Sequence, residues 1–310
     1  MTSASSQAPP LFGDLLCERV QARESQLVLG IDPDPGDLWP QAGAASQSGG
    51  SAERAAAAVQ AHCEALIDAV APACVAVKLQ LACFERLGWA GVRALSRVAE
   101  RARSAGLLVI ADGKRGDIPV TAQAYAEGLF GGLGTPWGHV GGLGADLATV
   151  NPLLGADALA PFVAAARRAG AGALVLVRTS NPGAADLLDL DVIDGRPLWE
   201  HLAALAHQQG SGGVGRSGLS DVGAVVGATA PEHVGRLREL MPHAVFLLPG
   251  VGAQGGRVEN LAAAFAPGRA AGLISASRSV AGAARAGAAD PSLSARAEAE
   301  RLRAAAWSLR

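Results

Sequence analysis

Lysine is nearly missing from this chain. Lysine and arginine together number 26, yet only Lys78 and Lys114 are lysines. The two cations are not equivalent, because a guanidinium does not give up a proton usefully whereas an ammonium is a compact donor with a tunable pKa. In a chain so biased toward arginine, the two survivors mark places where arginine would not serve.

Other absences narrow the class. Aromatic residues make up 4% of the chain and hydrophobic residues 50%, which suits a helix-rich globule packed with Ala, Leu and Val. No apolar run approaches the roughly 18 residues that a membrane span needs. The first residues, Met1 to Gln7, lack a basic stretch followed by an apolar one, so no signal peptide is expected. A net charge of −2 gives no global basic field to attract nucleic acid. Cys17, Cys63, Cys74 and Cys83 show no CxxC spacing, and two of them sit in apolar runs as small hydrophobes. A cytoplasmic setting follows as an expectation. No metal-ligand spacing and no cofactor motif is present, so neither a metal nor a cofactor is expected. His62, His201 and His207 read as solvated or packed helix residues, and Trp39, Trp89 and Trp199 as packing residues.

What the chain does have is a series of short apolar runs that break into polar residues. They are Leu27–Asp32, Cys74–Leu79, Leu107–Ala111, Asp146–Asn151, Ala173–Arg178, Val222–Gly227, Ala244–Leu248 and Gly272–Ala276. Between them lie helical stretches, among them Ala52–Val70, Ala90–Ala105, Ala158–Ala169 and Leu198–His207, with a short amphipathic helix around Phe12–Val20. Alternating strands and helices predict a parallel sheet covered on both faces. Eight strands in 310 residues favour closure into a (β/α)8 TIM barrel, one domain over residues 1–310. Gly-rich stretches near 41–51, 131–144 and 209–220 read as flexible insertions. A doubly wound open sheet is the rival, weakened because no GxGxxG opens a helix after the first strand.

The third strand leads into Asp112-Gly-Lys-Arg-Gly-Asp117. Side chains two apart on a strand share a face, so Asp112 and Lys114 point the same way and Gly113 points opposite. Gly116 marks the turn and Asp117 follows outside the strand. The pattern offers an ammonium flanked by two carboxylates at a strand mouth; taken alone, it is also what a surface salt-bridge cluster looks like.

Barrel chemistry sits at the carboxyl ends of the strands. This chain places Asp32, Lys78, Asp112, Lys114, Asn151, Ser180, Gln254 and Arg278 there. The loops after the last two strands commonly hold a phosphate. Here Pro249-Gly-Val-Gly-Ala-Gln-Gly-Gly256 offers unobstructed backbone N–H groups and an amide, and Ser275-Ala-Ser-Arg278 a guanidinium that can fork onto phosphate oxygens.

Taken together, these pieces resemble the orotidine 5′-phosphate decarboxylase family, in its longer bacterial form. The matching residues are Asp32, Lys78 with Gln80, Asp112-Gly-Lys-Arg-Gly-Asp117 with Thr121, and Val150-Asn-Pro-Leu-Leu-Gly155. Thr179-Ser-Asn-Pro-Gly183, Val226-Gly-Ala-Thr229, Pro249–Gly256 and Ser275–Ser279 continue the series in order from strand one to strand eight. The resemblance implies decarboxylation of orotidine 5′-phosphate to UMP without metal or cofactor. It implies that Lys114 protonates C6, Asp112 sits beside the substrate carboxylate, and Lys78 and Asp32 hold ribose hydroxyls, with Lys78 also completing an alternating catalytic array of Lys and Asp. Ser180 would bond the pyrimidine edge, and Gln254 and Arg278 the 5′-phosphate. It further implies a homodimer in which Asp117 and Thr121 reach the site of the other subunit. Leu79, Gly113 and the pair Pro119-Val120 depart from the family pattern without removing a catalytic group.

Three other readings remain open at this point. One is a magnesium-dependent enzyme of sugar phosphates on the same barrel, whose carboxylates hold a metal. Another is a Schiff-base lyase, for which a lysine between carboxylates is poorly set up as a neutral nucleophile. The third is a catalytically silent nucleotide binder.

Overall fold

The computed structural model describes residues 11–45, 48–252, 254–283 and 290–309. Eight parallel strands close a barrel: β1 (Leu27–Ile31), β2 (Ala76–Gln80), β3 (Leu108–Arg115), β4 (Leu147–Val150), β5 (Gly172–Arg178), β6 (Val222–Val226), β7 (Phe246–Pro249) and β8 (Gly272–Ala276). Each strand pairs with its sequence neighbours, and β1 closes the ring against β8 with Leu27 opposite Ile274. The (β/α)8 expectation is met, and the open-sheet rival is excluded.

The strands' period of two sorts their side chains into separate layers. Leu29, Val77, Val109, Val175 and Leu248 face outward and join the apolar layer beneath the surrounding helices. Val28, Ala76, Ile110, Leu174, Leu247 and Leu273 face inward and fill the lower half of the barrel. The helix Phe12–Arg23 closes that lower mouth, burying Phe12, Leu16 and Val20 in the inner cluster. Each such side chain stabilises by roughly 1.5–3 kcal/mol on full burial. At the helix end, the Arg23 guanidinium donates to the carbonyls of Ala71, Cys74, Ala105 and Gly106, tying the lower loops together. The lower half of the barrel interior is therefore filled mainly by apolar side chains.

The Gly-rich insertions have more regular structure than their composition predicts. Residues 131–144 contain an exposed antiparallel hairpin, Leu133–Thr135 with Gly138–Val140. Residues 209–220 form a short 3-10 turn and a Val214–Ser220 bridge, with the N–H groups of Arg216 and Ser217 donating to Asp14. Of the 41–51 stretch, Pro40–Ala45 is a 3-10 turn and Ser51 begins a helix, while residues 46 and 47 lie outside the described residues. Trp39 and Trp199 are buried as packing residues, but Trp89 is exposed beneath the Arg93 guanidinium, against expectation. His62 is a packed helix residue whose Nδ1 accepts the Trp39 N–H at 3.1 Å.

Candidate active site

Above the apolar floor, the inward positions change character. Lys78 on β2, Asp112 on β3, Thr149 on β4 and Ser275 on β8 are buried and line a cavity of about 560 Å³ at the carboxyl ends of the strands. Gly30, the inward residue of β1 opposite Lys78, has no room for a side chain, because a Cβ there would collide with the Ser277 hydroxyl. Asp32, one step beyond β1, reaches the same cavity.

Asp112 is the hub. Its Oδ2 accepts Lys78 Nζ at 2.8 Å and the Gln80 amide at 3.4 Å. Its Oδ1 accepts Lys114 Nζ at 2.7 Å and the Thr149 hydroxyl at 2.9 Å. Lys78 Nζ also reaches Asp32 Oδ1 at 3.5 Å, giving an alternating chain Asp32–Lys78–Asp112–Lys114. Burial pushes the Asp112 carboxyl up, but Lys78 and Lys114 outweigh it and hold the group at about 2. Burial likewise disfavours the Lys78 ammonium, and Asp112 and Asp32 more than offset that, leaving it above its usual value. At neutral pH Asp112 and Lys78 are thus both charged and locked together. The Lys114 side chain stays 43% exposed and open to the cavity.

The shared face of Asp112 and Lys114 does not come from a regular pleat. Ala111 pairs with Ala148 and Arg115 with Val150, so Asp112, Gly113 and Lys114 together span the single β4 residue Thr149. Such bulges are frequent beside active sites, where they re-aim side chains. Lys114 has φ +48°, a left-handed conformation costing a non-glycine residue about 1–3 kcal/mol. Its N–H donates to Thr149 Oγ1 at 2.9 Å.

The opposite wall carries Ser180, Gln254 and Arg278, as the sequence predicts. Ser180 sits in the loop after β5, where its carbonyl accepts the Thr229 hydroxyl at 3.0 Å. Gly227 permits that approach, because a Cβ there would lie 2.7 Å from the Ser180 Cα. No carboxylate pairs with Arg278 among the described residues, so its guanidinium is available to an anion. The Pro249–Gly256 loop differs from expectation. The N–H groups of Gly252, Gly255 and Gly256 are spent on carbonyls within the loop, and Ala253 lies outside the described residues. On this side the Gln254 and Arg278 side chains line the cavity.

Two residues named from the sequence are not brought to the cavity of their own chain. Asp117 accepts its neighbour's N–H, from Ile118, at 2.8 Å and does not flank Lys114. Thr121 lies exposed in the first turn of the helix Pro119–Phe130. The ammonium with a carboxylate on either side is in this chain Lys78, not Lys114. Ile118 and Val120, the chain neighbours of Asp117 and Thr121, are exposed, as are Leu153 and Leu154 in the loop after β4.

Thr149 was not singled out in the sequence, and its signal is weak: a hydroxyl at an inward position near the end of an otherwise apolar strand. The Asp32 and Asp112 carboxylates share the Lys78 ammonium, and no cluster of three or more His, Cys, Asp or Glu suited to a metal occurs among the described residues. No helix of the described residues is long and apolar enough to cross a membrane. An ammonium donor beside a carboxylate that remains ionised, in a cavity also lined by the Arg278 guanidinium, can stabilise and protonate a carbanion.

A profile of the orotidine 5′-phosphate decarboxylase / HUMPS family matches residues 25–291. An orotidine 5′-phosphate decarboxylase of Deinococcus radiodurans is 41% identical over 272 residues, 87% of this chain and 89% of that one. One from Rhodopirellula baltica is 45% identical over 229 residues, 73% of each chain. The solved structure of Leishmania donovani OMP decarboxylase superposes with a TM-score of 0.68 at 33% identity, covering 96% of this chain and 99% of that one. A Methanocaldococcus jannaschii orotidine 5′-monophosphate decarboxylase, solved with the inhibitor BMP, has a TM-score of 0.59 at 19% identity, over 90% of this chain and 97% of that one. That last likeness concerns the fold alone.

Proposed function

The chain belongs to the orotidine 5′-phosphate decarboxylase / HUMPS family, and from that premise we propose how its own residues carry out the reaction. The protein decarboxylates orotidine 5′-phosphate to UMP, a step of pyrimidine nucleotide synthesis. Lys114 is the proton donor. The observation that carries this role is its Nζ, held 2.7 Å from Asp112 and open to the cavity that Ser180, Gln254 and Arg278 share.

The substrate lies with its phosphate against Gln254 and Arg278, its ribose hydroxyls near Asp32 and Lys78, and its pyrimidine edge at Ser180. The C6 carboxylate then faces Asp112 and Lys114. As the bond from C6 to the carboxylate breaks, carbon dioxide leaves and the electron pair stays in an sp² orbital at C6 that the ring delocalises poorly. The Lys114 ammonium stabilises that pair and passes a proton to it, becoming an amine that solvent reprotonates. Asp112, tied by four donors, stays ionised and fixes the ammonium. Phosphate and ribose contacts are remote from C6, and their binding energy is spent on orienting the ring.

The reaction proceeds without a metal or cofactor in this reading, supported by the position of the Lys78 ammonium between the two carboxylates that would otherwise hold a cation. The working unit is a homodimer. The exposed apolar surface at Ile118, Val120, Leu153 and Leu154 supports it, and it lets Asp117 and Thr121 complete the site of the other subunit. The four free thiols fit a reducing cytoplasm. The test is the absorbance change of orotidine 5′-phosphate with purified protein, with and without a chelator. Turnover indifferent to the chelator is expected. No turnover by folded protein, or turnover lost to the chelator and restored by magnesium, would overturn the reading.

A further inference from the structure

We infer that Thr149 is a positioning residue of the decarboxylation: its hydroxyl holds the β3 bulge that aims Asp112 and Lys114 together into the cavity. The inference rests on the reading that Lys114 is the proton donor. A strand has one inward position in every two, so Asp112 and Lys114 would share a face in a regular β3, but one pleat apart along the wall. In the bulge, three β3 residues are compressed against Thr149 alone, which brings Lys114 Nζ to 2.7 Å from Asp112 Oδ1.

A bulge removes ladder hydrogen bonds, and something must replace them. The ordinary ladder resumes where the Asn151 N–H donates to the Arg115 carbonyl at 2.8 Å. Between Ala111 and Arg115 the replacement is the Thr149 side chain. Its Oγ1 accepts the Lys114 N–H at 2.9 Å, the backbone bond of the residue with φ +48°. The same oxygen donates its proton to Asp112 Oδ1 at 2.9 Å, the oxygen that Lys114 Nζ also binds. One hydroxyl thus ties the backbone of the proton donor to its carboxylate partner. Thr149 is 1% exposed, so water does not substitute for it readily. The β-branched side chain also has few χ1 options, which keeps the hydroxyl on its two partners.

The test compares Thr149→Val, which keeps the shape and removes the hydroxyl, with Thr149→Ser, which keeps the hydroxyl. Thr149→Val is expected to lower kcat by roughly ten- to a hundredfold, the scale of a small misplacement of a reacting group. UMP affinity and KM should stay within a few-fold, because the phosphate and ribose contacts lie elsewhere. Thr149→Ser should restore most of kcat. In the Lys114→Ala background, Thr149→Val should cost little more, since a residue acting through Lys114 has nothing left to position. An undiminished kcat in Thr149→Val, a failure of serine to restore it, or a full additional loss in the double variant would overturn the inference while leaving Lys114 as donor. A Lys114→Ala enzyme of near-normal activity would instead remove the reading beneath it, and the inference with it.

Discussion

Lys78 Nζ lies 2.8 Å from Asp112 Oδ2, with both side chains 7% exposed. This pair is the electrostatic centre of the protein, since Asp112 in turn holds Lys114 and Lys78 in turn holds Asp32. Its energetics follow from the removal of water. Neither charge is affordable alone at that depth, and each is present because the other is.

Breaking the pair by Lys78→Met should therefore cost stability, by about 3–5 kcal/mol for a buried pair of this kind. The loss should depend on acidity. Asp112 titrates at about 2 when folded and at 3.8 ordinarily. Its contribution, roughly 2 kcal/mol, is complete above the unfolded value and disappears as pH falls through the folded one. The stability gap between wild type and Lys78→Met, measured by urea unfolding, is expected to shrink between pH 5 and pH 2. A gap unchanged over that range would mean that the pair does not carry the difference.

Arg278 should act through the substrate phosphate, remote from C6. A hydrogen-bonded phosphate contact from a charged group is worth about 1.5–3 kcal/mol, so Arg278→Ala should lower kcat/KM for orotidine 5′-phosphate by roughly ten- to a hundredfold. With phosphate-free orotidine the same variant should match wild type, because the contact is absent in both. Equal losses on the two substrates would place Arg278 elsewhere in the mechanism.

Two predictions concern the second subunit. Val120, next to Thr121 in the chain, is 82% exposed. Val120→Asp should shift the protein to monomers in sedimentation equilibrium and reduce activity with them. Mixing inactive Lys114→Ala with inactive Asp117→Ala should recover about a quarter of wild-type activity, because half of the dimers are hybrids carrying one intact site in two. No recovery on subunit exchange would keep Asp117 within its own chain's function.

Much of this was legible in the residues. Apolar runs such as Leu107–Ala111 ended in charge at the points where the strands leave the barrel floor, because the inward layer below is mainly apolar and the layer above lines the cavity. The scarcity of lysine singled out Lys78 and Lys114, both of which the fold brings to Asp112. The bulge was not legible. Nothing in Asp-Gly-Lys-Arg-Gly announces a left-handed lysine, since glycines on either side suggest that they, rather than Lys114, take the positive φ. Thr149 stayed hidden for the same reason: its importance depends on a register that only the paired strands define. Asp117 was read as a flank of Lys114 from spacing alone, whereas the chain turns away at Gly116 before reaching it. The glycine loop after β7 looked like a row of free donors, but its turns consume three of them.

The role of Lys114 is tested most directly by the rate of carbon dioxide release from bound orotidine 5′-phosphate in Lys114→Ala, measured in a single turnover alongside UMP affinity. The account predicts UMP binding close to wild type and a rate lower by at least roughly 10²–10⁴-fold, the loss expected when a general acid is removed. A variant that binds UMP normally and releases carbon dioxide at about the wild-type rate would contradict it.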